Sequence, residues 1–498
     1  MASIGSLGIG SGMDLNGLLD KIAASEQAPL YQIKQRQSEQ TSRFSAYGVL
    51  QGMLSGMLTA SDQLAKPDFM NGFKAASSAT AVLGTSSDTT ASAGTYAVNV
   101  TAIAKAQSMV TAQVATTTGA IGAGGARITI DFGTVDRAIN AATGTFDAGA
   151  VFTANGAKPA ITVDLADGKT SLADIRDAIN KAAGGAVSAS IINDGTGNRL
   201  VLASSATGAN ATMRVAVADD GSDAQPLNAD LQTLLADDPA GTQNLKTTVA
   251  AQNAALTVNG VAVTSATNSV AGAIQGVTMT LADVGASTVT VQRDTAGVKG
   301  AVTAFVNAYN GLSNKLRDLT AYNAGGNSGV LLGDSTARLV QARLRATVFE
   351  SHAGAAGDPA RLSDIGIAFQ KDGTLKIDDA KLSKALADNP TGVTRLFAGN
   401  DSGDATGIGR RFAAVIHAFT DDKDGEDRDG ALTIAMAGAK KTIANLDKDL
   451  ARTQDRIDAS LAQYRKQFQA LDLVVSSMTA TSNYLTQQLA SLNTSKSK

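Results

Sequence analysis

The chain is 498 residues long, 44% hydrophobic and 4% aromatic, with no cysteine, no tryptophan and a formal net charge of −3. That length accommodates three or four domains. The missing cysteine excludes disulfides, thiol catalysis and sulfur-built zinc sites, and the near-neutral balance gives the chain as a whole no electrostatic pull toward nucleic acid or an anionic membrane. With so few aromatic residues, the cores are expected to be built from Ala, Val, Leu and Ile.

The first basic residue is Lys21, so the start lacks the charged region of a secretory signal, and no run approaches 18 uninterrupted apolar residues, so no membrane insertion is expected. Gly5, Gly8, Gly10 and Gly12 suggest a phosphate loop, but no strand precedes them, no lysine follows in the Walker position, and Met13 stands where the last glycine of a dinucleotide motif belongs. The reading is a mobile N-terminal segment. From Leu30 a helical pattern runs through Ile33, Phe44, Tyr47, Leu50, Leu54, Met57 and Leu64, weakened where Gln37 and Gln40 hold seam positions.

The stretch from about 76 to 298 is β-rich. Tyr96, Val98 and Val100 alternate, as do the residues of 288–291, and these two segments are expected to lie side by side. Between about 111 and 250 a separate unit reads strand (Ile161, Val163, Leu165), helix, then strands at Val187–Ile191, Leu200–Leu202 and Met213–Val217. Its helix opens with Ser171 and Asp174 at capping-box spacing and buries Leu172, Ile175 and Ile179. Asn259-Gly260 between alternating runs predicts a hairpin.

Helices resume with a 3-4 seam of Val302, Phe305, Tyr309, Leu312, Leu316 and Leu319, followed by a shorter helix capped by Asp334 or Ser335. A hairpin is expected next: Ile365, Ile367 and Phe369 alternate, Asp372-Gly373 turns, and Leu375 and Ile377 return. A helix over Asp379–Asp388 ends before Pro390. Asp421, Asp422, Asp424, Glu426, Asp427 and Asp429 crowd one loop, but with Gly425 in the sixth position of a calcium loop Thr420 and Ala431 fall on the end-ligand places. A solvated acidic turn is expected. His352 and His417, the chain's two histidines, have no nucleophile context and are read as surface or interface residues.

The last helix, from about Gly438 to Leu492, would be roughly 80 Å long. Ile457, Leu461, Tyr464, Phe468, Leu471, Val475, Met478, Ser482, Leu485, Leu489 and Leu492 alternate by four and three, with Ser482 the one polar member. A 3.5-residue period marks a left-handed supercoiling seam. Its large apolar side chains, about 1.5–3 kcal/mol each when fully buried, require a partner helix, either the chain's own N-terminal helix or one from another molecule. The expected fold is α+β multidomain: terminal coiled-coil helices, an α-helical stalk with a small β-hairpin, and two inserted antiparallel β-rich head domains. The boundaries are an N-terminal leg 1–40, a stalk helix 41–75, an inner head 76–110 and 251–298, an outer head 111–250, a helical stalk 299–455 and a C-terminal leg 456–498. The outer ends, 1–40 and 465–498, are expected to be mobile in an isolated subunit and to order on assembly.

Several dispersed segments resemble the flagellar filament capping protein, or hook-associated protein 2, family. They are SLGIGSGMDLNGLLDKIAASEQAPL at 6–30, AGTYAVNVTAIAKAQS at 93–108, TSLADIRDAINKAAGGAVSASIINDGTGNRLVLAS at 170–204, LTVNGVAVTSATNSVAGAIQGVTMTL at 256–281, AFVNAYNGL at 304–312, LLGDSTARL at 331–339 and IGIAFQKDGTLKIDDAKL at 365–382. The resemblance implies a non-enzymatic structural protein without cofactor or metal, secreted through the flagellar type III apparatus to the distal filament tip. There, copies form a small closed ring beneath which flagellin folds and inserts. Implied partners are other copies, flagellin, the hook–filament junction protein and a cytoplasmic export chaperone at the C-terminal helix. Another flagellar axial protein, or a secreted adhesin with coiled-coil ends, is the alternative. The expected seam for these contacts is Phe44, Tyr47, Leu50, Leu54, Met57 and Leu64 together with Ile457, Leu461, Tyr464, Phe468, Leu471, Val475, Met478, Leu485, Leu489 and Leu492.

Overall fold

A computed structural model describes residues 12–219, 221, 227–352, 354–400, 406–421 and 429–494. The chain divides into two units, one made of Met1–Met70 with Thr295–Lys498, the other of Asn71–Asp294.

The first unit begins with α1 (Leu15–Glu26), α2 (Ala28–Leu64) and the short α3 (Pro67–Met70). Asp14 caps α1 by accepting from the Gly17 amide at 2.8 Å, and Pro29 sits in the first turn of α2, where an amide would have no helical partner.

In the second unit the strands are β1 (Phe73–Ser77), β2 (Leu83–Ser87), β3 (Gly94–Ala102), β4 (Ala106–Val110), β5 (Ala126–Val135), β6 (Ile139–Asn140), β7 (Thr145–Phe146), β8 (Phe152–Ala154) and β9 (Ile161–Leu165). Then come α4 (Leu172–Ala182), β10 (Val187–Asn193), β11 (Asn198–Thr207), β12 (Thr212–Ala218), α5 (Ala229–Leu235), β13 (Lys246–Val249), β14 (Ala254–Val258), β15 (Val261–Ser265), β16 (Ser269–Ile274), β17 (Val277–Leu281) and β18 (Gly285–Arg293). One core packs a sheet ordered β1-β18-β3-β14-β15 against β16-β17-β2. As the alternation predicted, β18 pairs antiparallel with β3, Thr288 opposite Ala97 and Val289 opposite Tyr96. Asn259 and Gly260 both have positive φ, 49° and 83°, which makes the β14–β15 connection a type I′ turn.

The other core closes under α4 and α5, between the sheet β10-β11-β4-β13 and the sheet of β5 with β12, β8 and β9. Ser171 and Asp174 form the predicted capping box, and Leu172, Ile175 and Ile179 are buried. All sheet pairings in this unit are antiparallel.

Back in the first unit follow α6 (Thr295–Thr320), α7 (Ser335–Phe349), the hairpin β19 (Ile367–Phe369) and β20 (Leu375–Ile377), α8 (Asp379–Asp388), α9 (Pro390–Ala398), α10 (Ile408–Thr420) and α11 (Ala431–Thr494). Asp334 caps α7 through the Ala337 amide at 2.9 Å. Ile365, expected in the first hairpin strand, instead lies in a 3-10 turn, Leu362–Ile365. Asp364 accepts from the Ala360 and Arg361 amides, and the turn ends on left-handed Gly366 (φ +87°), so the strand starts only at Ile367. Pro390 stops α8 and opens α9, whose cap is Asn389. The last helix starts seven residues before Gly438 and passes residues 455 and 456 without a break.

The core of this unit departs from the expectation of purely aliphatic packing. Phe305 meets Phe412 edge-on at 5.1 Å and Phe397 at 6.2 Å, with Tyr309 edge-on to Phe412 at 6.2 Å. The chain's few aromatic rings are concentrated here because interdigitated rings fill the space between α6, α9 and α10 that smaller side chains would leave as voids.

Candidate functional site

Helix α2 is the spine of its unit. The main chain of Ser61 lies against Gly409 at the start of α10, and Gly430, just before α11, donates to Asp421 at the end of α10. Gln37 hydrogen-bonds Asp447 further along. These three points make α11 run antiparallel to α2, so the end of α11 lies toward α1.

That arrangement divides the expected seam. Leu50, Leu54, Met57 and Leu64 are wholly buried in the subunit's own core, and Tyr47 is buried with its hydroxyl donating to Asp334 Oδ2 at 2.5 Å. Phe44 is half-buried against the same core. For Leu50, Leu54, Met57 and Leu64 this corrects the expectation that they serve contacts with other molecules: α6, α10 and α11 already occupy that face, and a side chain with no exposed surface has none left to offer.

On α11 the stripe changes character along its length. Ile457 is buried and Leu461, Tyr464 and Phe468 are half-buried; α1, whose Leu15 and Leu19 are buried, packs against α11. Val475 is half-buried, whereas Leu471, Met478, Leu485 and Leu489 are exposed. Every residue from Ser477 to Ala490 is exposed. The Leu492 side chain, residues 1–11 and 495–498 of the expected mobile ends, Gly5, Gly8 and Gly10, and the acidic loop from Asp422 to Arg428 lie outside the described residues.

Single-stripe reasoning missed Leu473, Val474 and Tyr484, which are exposed on other faces of the same segment. A second 3-4 line through Leu473, Ser477, Ala480 and Tyr484 is legible in the sequence once the first is set aside. A helix apolar on more than one side is a helix to be enclosed by more than one neighbour. No charged residue occurs between Asp472 and Lys496, so this segment offers apolar surface and no group for an ion pair.

His352, read as a surface or interface residue, is buried, with Nδ1 3.2 Å from the Thr406 carbonyl oxygen and its main-chain amide donating to the Ala360 carbonyl oxygen. His417 Nδ1 lies 2.7 Å from Asp421 Oδ1, one helical turn away. Asp358 is gripped by Arg395 at 2.7 and 2.9 Å and by Asn389 at 3.0 Å, which holds its carboxyl down at about 2, chiefly through the Arg395 hydrogen bond. Among the described residues no cluster of three or more His, Asp or Glu side chains is placed to hold a metal ion.

Three family models match the chain: flagellar hook-associated protein 2 N-terminus over 11–107, flagellin hook IN motif over 138–206, and flagellar hook-associated protein 2 C-terminus over 251–480. Flagellar hook-associated protein 2 of Escherichia coli strain K12 is 36% identical across 100% of both chains. The Salmonella typhimurium protein of the same name is 35% identical over 99% of this chain and 100% of its own. Among solved structures, the D1-D2-D3 domains of the flagellar cap protein from Escherichia coli superpose with a TM-score of 0.62 at 34% identity, covering 79% of this chain and 99% of that one.

Proposed function

Because this chain belongs to the flagellar hook-associated protein 2 family, we propose that it caps the distal end of the bacterial flagellar filament as an assembled structural subunit and promotes insertion and folding of exported flagellin beneath it. The observation that carries this reading is end-to-end relationship with a hook-associated protein, joined to a helix end whose apolar surface its own subunit leaves uncovered.

In this reading the buried half of the α2–α11 pair fixes the leg to the subunit, and the segment from Leu471 onward makes the exchangeable contacts. Apolar closure is non-directional, so one stripe can serve in succession: first an export chaperone in the cytoplasm, then, after secretion, other copies in a small ring, the hook–filament junction protein and flagellin. The free energy for the cap's stepping comes from folding and burial of each incoming flagellin. Ser482 within the stripe weakens the contact at its middle and keeps it reversible.

The test is a deletion strain. Loss of the gene should spill unpolymerised flagellin into the medium and stop filament growth, and this chain supplied in trans should restore it. Filaments that elongate normally without the chain would overturn the assignment. Chaperone affinity unchanged by Leu471→Ser with Met478→Ser would remove the chaperone step alone.

A further inference from the structure

Beside α7 the first unit carries a groove of about 620 Å³. Buried Tyr309 and Leu316 of α6 form its floor. Arg338, Arg345 and Phe349, spaced to share one face of α7, form one wall, and Phe369 of the β19–β20 hairpin stands in the other. From Arg338 to Phe349 the helix rises roughly 16 Å, the span of about five extended residues. The Phe349 and Phe369 ring centroids lie 5.0 Å apart, yet Phe349 remains 55% exposed. Arg345 sits over the Phe369 ring at 5.2 Å.

The polar groups of this groove lack counterparts. Among the described residues neither Arg338 nor Arg345 forms an ion pair. Arg338 donates to the Asp334 and Gly333 carbonyl oxygens, each at 3.3 Å, and no carboxylate lines the cavity. Tyr309 is 4% exposed, and its hydroxyl reaches the groove without a hydrogen-bond partner among the described residues. Burial pushes that hydroxyl up to about 12 against the pull of the Arg345 charge, so at neutral pH it is a donor. A buried donor beside cations that no anion answers is costly, and a carboxylate satisfies both at once. The two arginines are the only charged groups of the lining, too few for a phosphodiester chain that repeats its charge at every unit.

We propose that this groove docks a segment of another protein that carries a carboxylate side chain beside a large apolar one. The carboxylate accepts from the Arg345 guanidinium and the Tyr309 hydroxyl, with Arg338 adding positive charge. The apolar neighbour covers Phe349. Stacking on Phe369 holds the Arg345 plane in place and leaves its N–H groups free at the rim. The groove uses no residue of α11, so it stands or falls separately from the stripe on that helix.

The chain has no tryptophan, so the fluorescence of a tryptophan-bearing peptide reports binding directly. The probe is acetyl-Ala-Leu-Glu-Trp-Leu-Ala-amide, titrated with the full-length protein beside the same peptide carrying glutamine in place of glutamate. The glutamate peptide should bind about tenfold more tightly, the effect of one charge-assisted hydrogen bond. Arg345→Gln should abolish the difference by weakening the glutamate peptide alone, whereas Phe349→Ser should weaken both peptides by a similar factor. Leu471→Ser with Met478→Ser should change neither. No binding to the folded native chain, equal binding of the two peptides, or a preference that survives Arg345→Gln overturns the proposal. So does full displacement of the peptide by an equal concentration of phenylacetate, which would make the groove a small-carboxylate site. If circular dichroism shows that Arg345→Gln does not fold, the difference between the peptides on the native chain and their common loss on Phe349→Ser decide.

Discussion

Replacing Leu471, Met478, Leu485 and Leu489 together by serine separates association from folding. These residues are 43, 67, 54 and 63% exposed. At about 2 kcal/mol for a fully buried Leu or Met, covering the exposed fractions yields about 4–5 kcal/mol, on the order of a thousandfold in the association constant. The core of the first unit should be untouched, because Phe305, Phe397, Phe412 and Leu54 make no use of this segment; its thermal midpoint should move by no more than a surface substitution does, under about 1 kcal/mol. Ile457→Ser is the contrasting variant: at 1% exposure it should cost about 2–4 kcal/mol of folding stability. Sedimentation velocity reads association, and near-ultraviolet circular dichroism on heating reads the core. If the fourfold serine chain associates within a fewfold of the native one, or melts as early as Ile457→Ser, the division of α11 into a packed and a free segment is wrong.

Association through α11 should change little between about 0.05 and 0.5 M salt, since no charge lies between Asp472 and Lys496 to be screened; a steep salt dependence by sedimentation would refute apolar closure. Asp237 is buried, and burial pushes its carboxyl up to about 7 although the Leu245 amide donates to it at 3.0 Å. Because the folded form holds a proton that the unfolded chain releases near pH 4, stability of the second unit should fall as pH rises from about 4 to 7 and level off above. Asp237→Asn should flatten that slope, an effect of at most about 4 kcal/mol by denaturant titration.

Gly208 has φ +97°, and a Cβ there would stand 2.7 Å from Ala266 Cβ and from its carbonyl oxygen. Gly208→Ala should cost about 3 kcal/mol and lower the melting of the second unit alone, read by differential scanning calorimetry. Arg395→Ala leaves the buried Asp358 carboxylate without its two-pronged partner and should cost about 2–4 kcal/mol in the first unit, by the same measurement.

Local rules set most of the elements. The Ser171–Asp174 box, the Asn259-Gly260 turn, the Asp334 cap and the stop before Pro390 each depend on hydrogen bonds or φ values fixed within a few residues, and such signals survive any tertiary arrangement. The 3-4 stripes on α2 and α11 are likewise written in the spacing of Leu, Met and Ile. What a stripe faces is not. Leu54 and Leu485 occupy equivalent places in their patterns, yet one is sealed beneath α6 and α10 and the other stands in solvent. That difference arises because α11 runs antiparallel to α2 and past the covering helices, a relation between segments about 400 residues apart. The groove beside α7 was hidden for the same reason: spacing puts Arg338, Arg345 and Phe349 on one face of α7, but only the packing of α6 and the β19–β20 hairpin makes that face the wall of a cavity. Spacing determines which surfaces are apolar or extended; the packing of distant segments decides which of them remain available to another molecule.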